Sequence, residues 1–243
     1  MNISAFLAAA VFAIWAASGQ DHKLSAYAVE HTPVYGSRAR AQTASDILQY
    51  TSIAVPFLVY AVKHLPLTGE PFGSPYRYNP SRHPYNLTLA EEAMAVAISC
   101  ALTVSATHEL KEHTGRVRPN ASNTKSFPSG HTSAAAWGNY SSALMIRGMD
   151  LPPQYEYPAY AALTLMTLGT AWGRVEAAKH YPGDVLAGLL LAVAMHDISI
   201  VAVRNNEQAN NAPSPRLSIQ RFDIQITETR SVVSTALLVT VDF

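Results

Sequence analysis

The chain has 243 residues, enough for one large domain with a well-buried core or for one domain with a small appendage. Its residues are 49% hydrophobic and 14% charged, with 17 basic against 17 acidic side chains, so no bulk charge selects an electrostatic partner. A nucleic-acid partner is disfavoured, because no basic stripe is available to meet a phosphate backbone. The single cysteine, Cys100, can form no internal disulfide and falls in an apolar helical run, where it reads as a small buried hydrophobe.

In chain order, Ile3 to Ala17 form an apolar run of fifteen, followed by small residues and then Gln20, Asp21 and His22. The run is short of the ~20 residues of a membrane span and suits a secretory signal over residues 1–19, cleaved near Gly19 or Gln20, or else an uncleaved anchor. Either reading makes the protein exported, periplasmic or attached to the envelope. Residues 20–45 are mixed and polar and read as a loosely packed lead-in. Asp46 then caps a helix to about His64, with Pro56 inside it and Pro66 beyond its end. Leu67 to Asn86 carry four prolines and two glycines and predict a long loop that can lie over a site.

A second helix starts at Thr88, with Glu91 three residues on as in a capping box, and stops near Thr114 at Gly115. A third runs from Ser129 to about Arg147, a fourth from about Tyr157 to Val175, and a fifth from Pro182 to about Arg204. The predicted fold is all-α, a helical bundle over residues 20–204 with its site at helix ends. The mean hydropathy of +0.06 is low for a polytopic protein, and His196 and Asp197 interrupt the last apolar run, so a soluble or surface-associated bundle is preferred to an integral one. Residues 205–215 read as a polar linker. Residues 216–243 read as a β-hairpin, since Leu237, Val239, Val241 and Phe243 alternate on one face.

Three stretches carry chemistry. In KEHTGRVRP, Lys111 nears the end of the second helix and Arg118 stands before Pro119. In PSGH, Ser129 is a natural N-cap, Gly130 allows close backbone approach, and His131 follows. In GRVEAAKHYPGD, Arg174, His180 and Asp184 supply a fixed cation, a nucleophile or base, and an anion to orient it. A helix N-terminus binds anions through its free N–H groups, so Lys111, Arg118, Arg174, the Ser129 hydroxyl and the Gly130 N–H compose a cage for a tetrahedral anion. Each stretch alone has a plainer reading as solvated cations, a capped helix start, or a carboxylate complementing a helix dipole. HELKEH, from His108 to His113, is not a zinc-protease motif, because its histidines are five apart and about 140° around a helix.

Together the three motifs, Lys-x6-Arg-Pro, Pro-Ser-Gly-His and Arg-x5-His-x3-Asp, resemble the signature of the type 2 phosphatidic acid phosphatase superfamily. The resemblance spans Lys111 to Asp184 and implies a metal-independent, cofactor-free phosphohydrolase acting on phosphomonoesters or diphosphates, including lipid-linked ones. It implies that His180 attacks phosphorus to form a phosphohistidine, that Asp184 accepts the other ring N–H of His180, and that His131 is the acid and base. Lys111, Arg118, Ser129, Gly130 and Arg174 would hold the phosphate. The family usually has serine where this chain has Gly173, which implies weakened or altered anion binding. Two other functions compete: a vanadate-dependent haloperoxidase, which uses much the same cage, and a non-enzymatic envelope protein that binds phosphate or lipid phosphate. The complete set of His131, His180 and Asp184 argues against the second, since binding alone needs neither an acid nor a nucleophile. Association with a membrane surface is compatible with all of these, and substrate selectivity and oligomeric state are not legible.

Overall fold

The computed structural model of the chain describes residues 20–64 and 79–211 and two short segments, 219–221 and 237–239. Among the described residues it holds six α-helices: α1 (Gln20–His31), α2 (Arg38–His64), α3 (Leu89–Thr114), α4 (Gly130–Gly148), α5 (Pro153–Glu176) and α6 (Pro182–Asn211), with a 3₁₀ turn at Pro80–Arg82. The apolar run Ile3 to Ala17 and most of the Pro-rich loop lie outside the described residues.

Local chemistry sets several helix ends where the sequence places them. The Thr88 hydroxyl accepts from the Glu91 N–H while the Glu91 carboxylate accepts from the Thr88 N–H, a complete capping box for α3. Gly115 ends α3 in the left-handed region at φ 56, where a side chain would be strained. Ser129 caps α4 through its hydroxyl. Pro153 opens α5 as its first residue, earlier than the expected Tyr157, because a proline needs no N–H there. α6 continues to Asn211, through the first half of the expected linker; no glycine or proline interrupts it before Pro213, and polarity alone does not end a helix.

The lead-in expected over residues 20–45 is instead α1 and the first turns of α2. α1 buries Asp21, Ser25 and Ala28, which are spaced to share a helical face that carries no hydrophobic signature. Asp46 lies about two turns inside α2, so it caps nothing and its carboxylate is free for other partners. The turn joining α1 to α2 is fixed to the end of α5 by the fully buried Glu176, whose two oxygens accept from the Val34 and Tyr35 N–H groups at 2.8 and 3.0 Å.

α2 packs against α4 and α5, α4 also against α3 and α5, and α1 against α5. The approach of α2 to α4 depends on Gly138, where a Cβ would stand 2.0 Å from the Ser52 carbonyl oxygen. Trp137, Val96, Ala136, Met145 and Ala192 form a core between α3, α4 and α6, with Cys100 half-buried beside it. The Trp137 indole N–H donates to Ser99 Oγ at 2.9 Å, so the largest side chain of that core leaves no buried donor unpaired.

Helices α2, α3 and α6 each hold a stretch long and apolar enough to cross a membrane, over Arg38–Val62, Leu89–Thr114 and Pro182–Asn206. The low whole-chain hydropathy hides this, because polar loops dilute the helices. On α2, Ile47, Tyr50, Phe57, Leu58 and Val62 are all more than half exposed, which is a large apolar face for a helix in water. These helices support association with a membrane.

The chain divides into two compact units, Met1–Val201 and Ala202–Phe243. Within the second, Ile219–Arg221 pairs antiparallel with Leu237–Val239, Ile219 opposite Val239. The expected turn at Thr227 to Arg230 and the rest of that hairpin lie outside the described residues.

Candidate active site

His180 sits in the short connection between α5 and α6, its N–H bonded to the Arg174 carbonyl at 3.2 Å, and the residue is 1% exposed. Its Nδ1 lies 2.6 Å from the Ser126 carbonyl oxygen. A carbonyl only accepts, so Nδ1 carries the proton and Nε2 carries the lone pair. Burial pushes the His180 pKa down to about 4, with Lys111 and Arg118 adding to the shift and Asp184 opposing it. The ring is therefore neutral at neutral pH and keeps Nε2 free to act as a nucleophile.

The expected hydrogen bond from His180 to Asp184 is not the one formed. His180 Nδ1 stands 3.8 Å from Asp184 Oδ2, beyond hydrogen-bond reach. Asp184 is fully buried and occupied by three other donors: Arg116 Nη1 at 2.6 Å, the Ser126 hydroxyl at 2.5 Å, and the Tyr181 N–H at 2.9 Å. Asp184 thus holds Ser126, and the Ser126 carbonyl holds His180. Arg116 reaches on through Nη2 to Asp21 at 2.5 Å, and Asp21 accepts the Gly183 N–H at 2.7 Å at the start of α6. The Arg116 guanidinium also lies 4.2 Å over the Tyr181 ring, so Tyr181 packs, with His22 at its edge.

The expected anion-binding residues come together around this histidine. Lys111 Nζ donates to the carbonyls of Lys125 and Pro128, which anchors it just before α4, and its stem passes beside Gly130. The Gly130 and His131 N–H groups open α4 with no acceptor among the described residues. Ser129 is already used: its fully buried hydroxyl accepts from the Thr132 N–H and Oγ1, at 3.4 and 3.0 Å. Arg118 Nε and Arg174 Nε are both buried without a hydrogen-bond partner among the described residues. Burial lowers the pKa of both guanidiniums, and each lies close enough to feel the other sites' charges. Unpaired buried donors on two cations are a cost that an anion would relieve.

His131, at the first turn of α4, gives its Nε2 to Asp46 Oδ1 at 2.9 Å, and the same oxygen accepts from Arg174 Nη1 at 2.9 Å. Burial pushes the His131 pKa down to about 4; Arg174 and Arg118 act in the same direction and Asp46 against it.

The sequence comparison reads Gly173 as a missing phosphate-binding hydroxyl, and the packing gives it another purpose. A Cβ there would stand 2.9 Å from the Ala41 carbonyl oxygen and 2.9 Å from Ser45 Cβ, both on α2. The space a serine would take is filled by Ser45, whose own hydroxyl lies 3.5 Å from Arg174 Nη1. Gly173→Ser is therefore expected to cost about 2 kcal/mol of stability by overpacking, with no gain in phosphate affinity. Denaturant unfolding and phosphate inhibition check this; a serine variant as stable as the parent that binds phosphate more tightly would contradict it.

Asp46, Ser126, Arg116 and Asp21 are site residues that sequence reasoning missed. Of the other histidines, His113 is an exposed neighbour of Glu109, and His83 and His196 belong to a buried network elsewhere. In that network Glu92 lies 3.1 Å from His83 Nε2 and 3.6 Å from His196 Nε2, while the Tyr85 and Tyr140 hydroxyls donate to Asp197. It ties α3, α4 and α6 together.

No curated protein matches the chain. Among solved structures, the crystal structure of Aquifex aeolicus LpxE is similar at 17% identity, covering 66% of this chain and 92% of that chain with a TM-score of 0.38. The family model described as the PAP2 superfamily matches residues 92–208, which contain all three motifs and both histidines described above. Over that stretch the chain is similar to the PAP2 superfamily.

Proposed function

We propose that the chain is a phosphohydrolase that cleaves phosphomonoesters or diphosphates through a phosphohistidine on His180. The observation that carries this reading is a neutral histidine, with Nδ1 committed to a carbonyl, among cations whose buried donors are unpaired. In the first step the Nε2 lone pair forms a bond to phosphorus as the bond to the leaving oxygen breaks, and His131 supplies that oxygen with a proton. In the second, His131 takes a proton from water as its oxygen attacks phosphorus, and the phosphorus–nitrogen bond breaks to release phosphate and His180. Lys111, Arg118, Arg174 and the first N–H groups of α4 neutralise the equatorial oxygens in both transition states.

The exposed apolar helices favour a phosphate carried by a lipid, presented at the membrane surface of an exported protein. A hydrolysis panel in EDTA, pairing a soluble monoester with a lipid phosphate in mixed micelles, tests both parts. The expected result is hydrolysis of each, with kcat/KM at least tenfold higher for the lipid. Activity abolished by EDTA would contradict the mechanism, and hydrolysis of the soluble ester alone would contradict the substrate class.

A further inference from the structure

Asp46 stands on α2, outside the residues that carry the family match, yet it meets two groups of the site through one oxygen. That oxygen already accepts from a guanidinium, so it does not also carry a proton, and His131 Nε2 must be the donor in their 2.9 Å contact. His131 is 31% exposed on its side chain, and its Nδ1 has no partner among the described residues. The ring therefore has one nitrogen fixed to the protein and one left open.

We infer that Asp46 is a positioning residue for the reaction proposed above, on which this inference rests: it holds His131 as the Nε2–H tautomer and so leaves Nδ1 to exchange the proton. On the first step the Nδ1 proton goes to the leaving oxygen; on the second Nδ1 takes one proton from the attacking water, so the ring returns to its starting state. The same contact has a second consequence. Without substrate, Asp46 neutralises Arg174, and a phosphoryl oxygen must compete with it for Nη1.

The charges facing the His131 ring come from three elements: Asp46 from α2, Arg174 from α5 and Arg118 from the segment before α4. Two of the three oppose protonation, as does burial, so Asp46 is the anion that keeps a proton within reach of the acid step. Removing its charge lowers the His131 pKa, and the pH limb that requires protonated His131 moves to lower pH.

Asp46→Asn, which keeps the shape of the side chain, tests this in the full chain with two monoesters. One is an aryl phosphate whose phenolate leaves without a proton, and the other an alkyl phosphate whose alkoxide needs one. In the variant, kcat/KM for the alkyl ester should fall about 100-fold, the range of a general acid, and at least tenfold further than for the aryl ester. KM should stay level or fall, since Arg174 is released. Nitrogen NMR of the His131 ring should show Nε2–H in the parent and a lowered pKa in the variant, independently of turnover. Equal losses on both esters in Asp46→Asn, while His131→Ala separates them, would overturn the inference alone; so would an Nδ1–H tautomer in the parent. If His131→Ala also treated the two esters alike, the acid role assigned to His131 would fall, and this inference with it.

Discussion

Replacing His180 by alanine is expected to lower kcat/KM by about 10⁴-fold or more, the scale seen when a nucleophile is deleted from a site that acts as a unit. The fold should survive, because His180 lies in a connection rather than a helix and its side chain is held by a single hydrogen bond, to the Ser126 carbonyl, among the described residues. Binding of inorganic phosphate should change far less than turnover, since the cations that hold it come from elsewhere. The pH profile carries a matching signature: kcat/KM for the parent should fall as the pH drops toward about 4, where His180 protonates and loses its lone pair. A His180→Ala enzyme with activity near that of the parent would end the proposed mechanism.

The second large effect is on stability. Arg116 bridges two carboxylates, Asp21 and Asp184, that are both fully buried, and the arginine itself is only 26% exposed. Arg116→Ala leaves two uncompensated charges in the interior, which is expected to cost about 3 kcal/mol, or roughly 10 °C in Tm for a domain of this size. Arg116→Lys should recover only part of it, because the guanidinium reaches the two carboxylates from two separate nitrogens and an ammonium has one. Thermal unfolding of the three proteins measures this. Because Asp184 positions Ser126 and Ser126 positions His180, kcat should fall alongside Tm. An alanine variant that melts within 2–3 °C of the parent, about 1 kcal/mol on the same scale, would show that the bridge is not a structural tie.

The parts of the site that were legible in the sequence are those with a local signature. Thr88 with Glu91, Gly115 and Ser129 announce helix ends because capping is decided within one turn. Lys111, Arg118, Arg174 and His180 fall in ordered motifs, and the structure gathers them. What was not legible depends on contacts between distant residues or on backbone atoms. Asp46 reaches His131 across 85 residues and looks from sequence like an ordinary helix cap. The partner of His180 Nδ1 is the Ser126 carbonyl, a group every residue has, so no side chain marks it. α1 buries an aspartate, a serine and an alanine, and a face of that kind leaves no apolar periodicity to detect. Gly173 shows how one residue can be read as a loss in binding when its role is to let α2 approach α5.

The most direct test of the central claim is rapid quenching of the enzyme during turnover of a monoester carrying a radiolabelled phosphoryl group, followed by peptide mapping. A phosphohistidine mechanism predicts label on the chain that is stable in alkali, lost in acid, located at His180, and absent from His180→Ala. Turnover without any labelled enzyme, or label that survives acid on another residue, would contradict it.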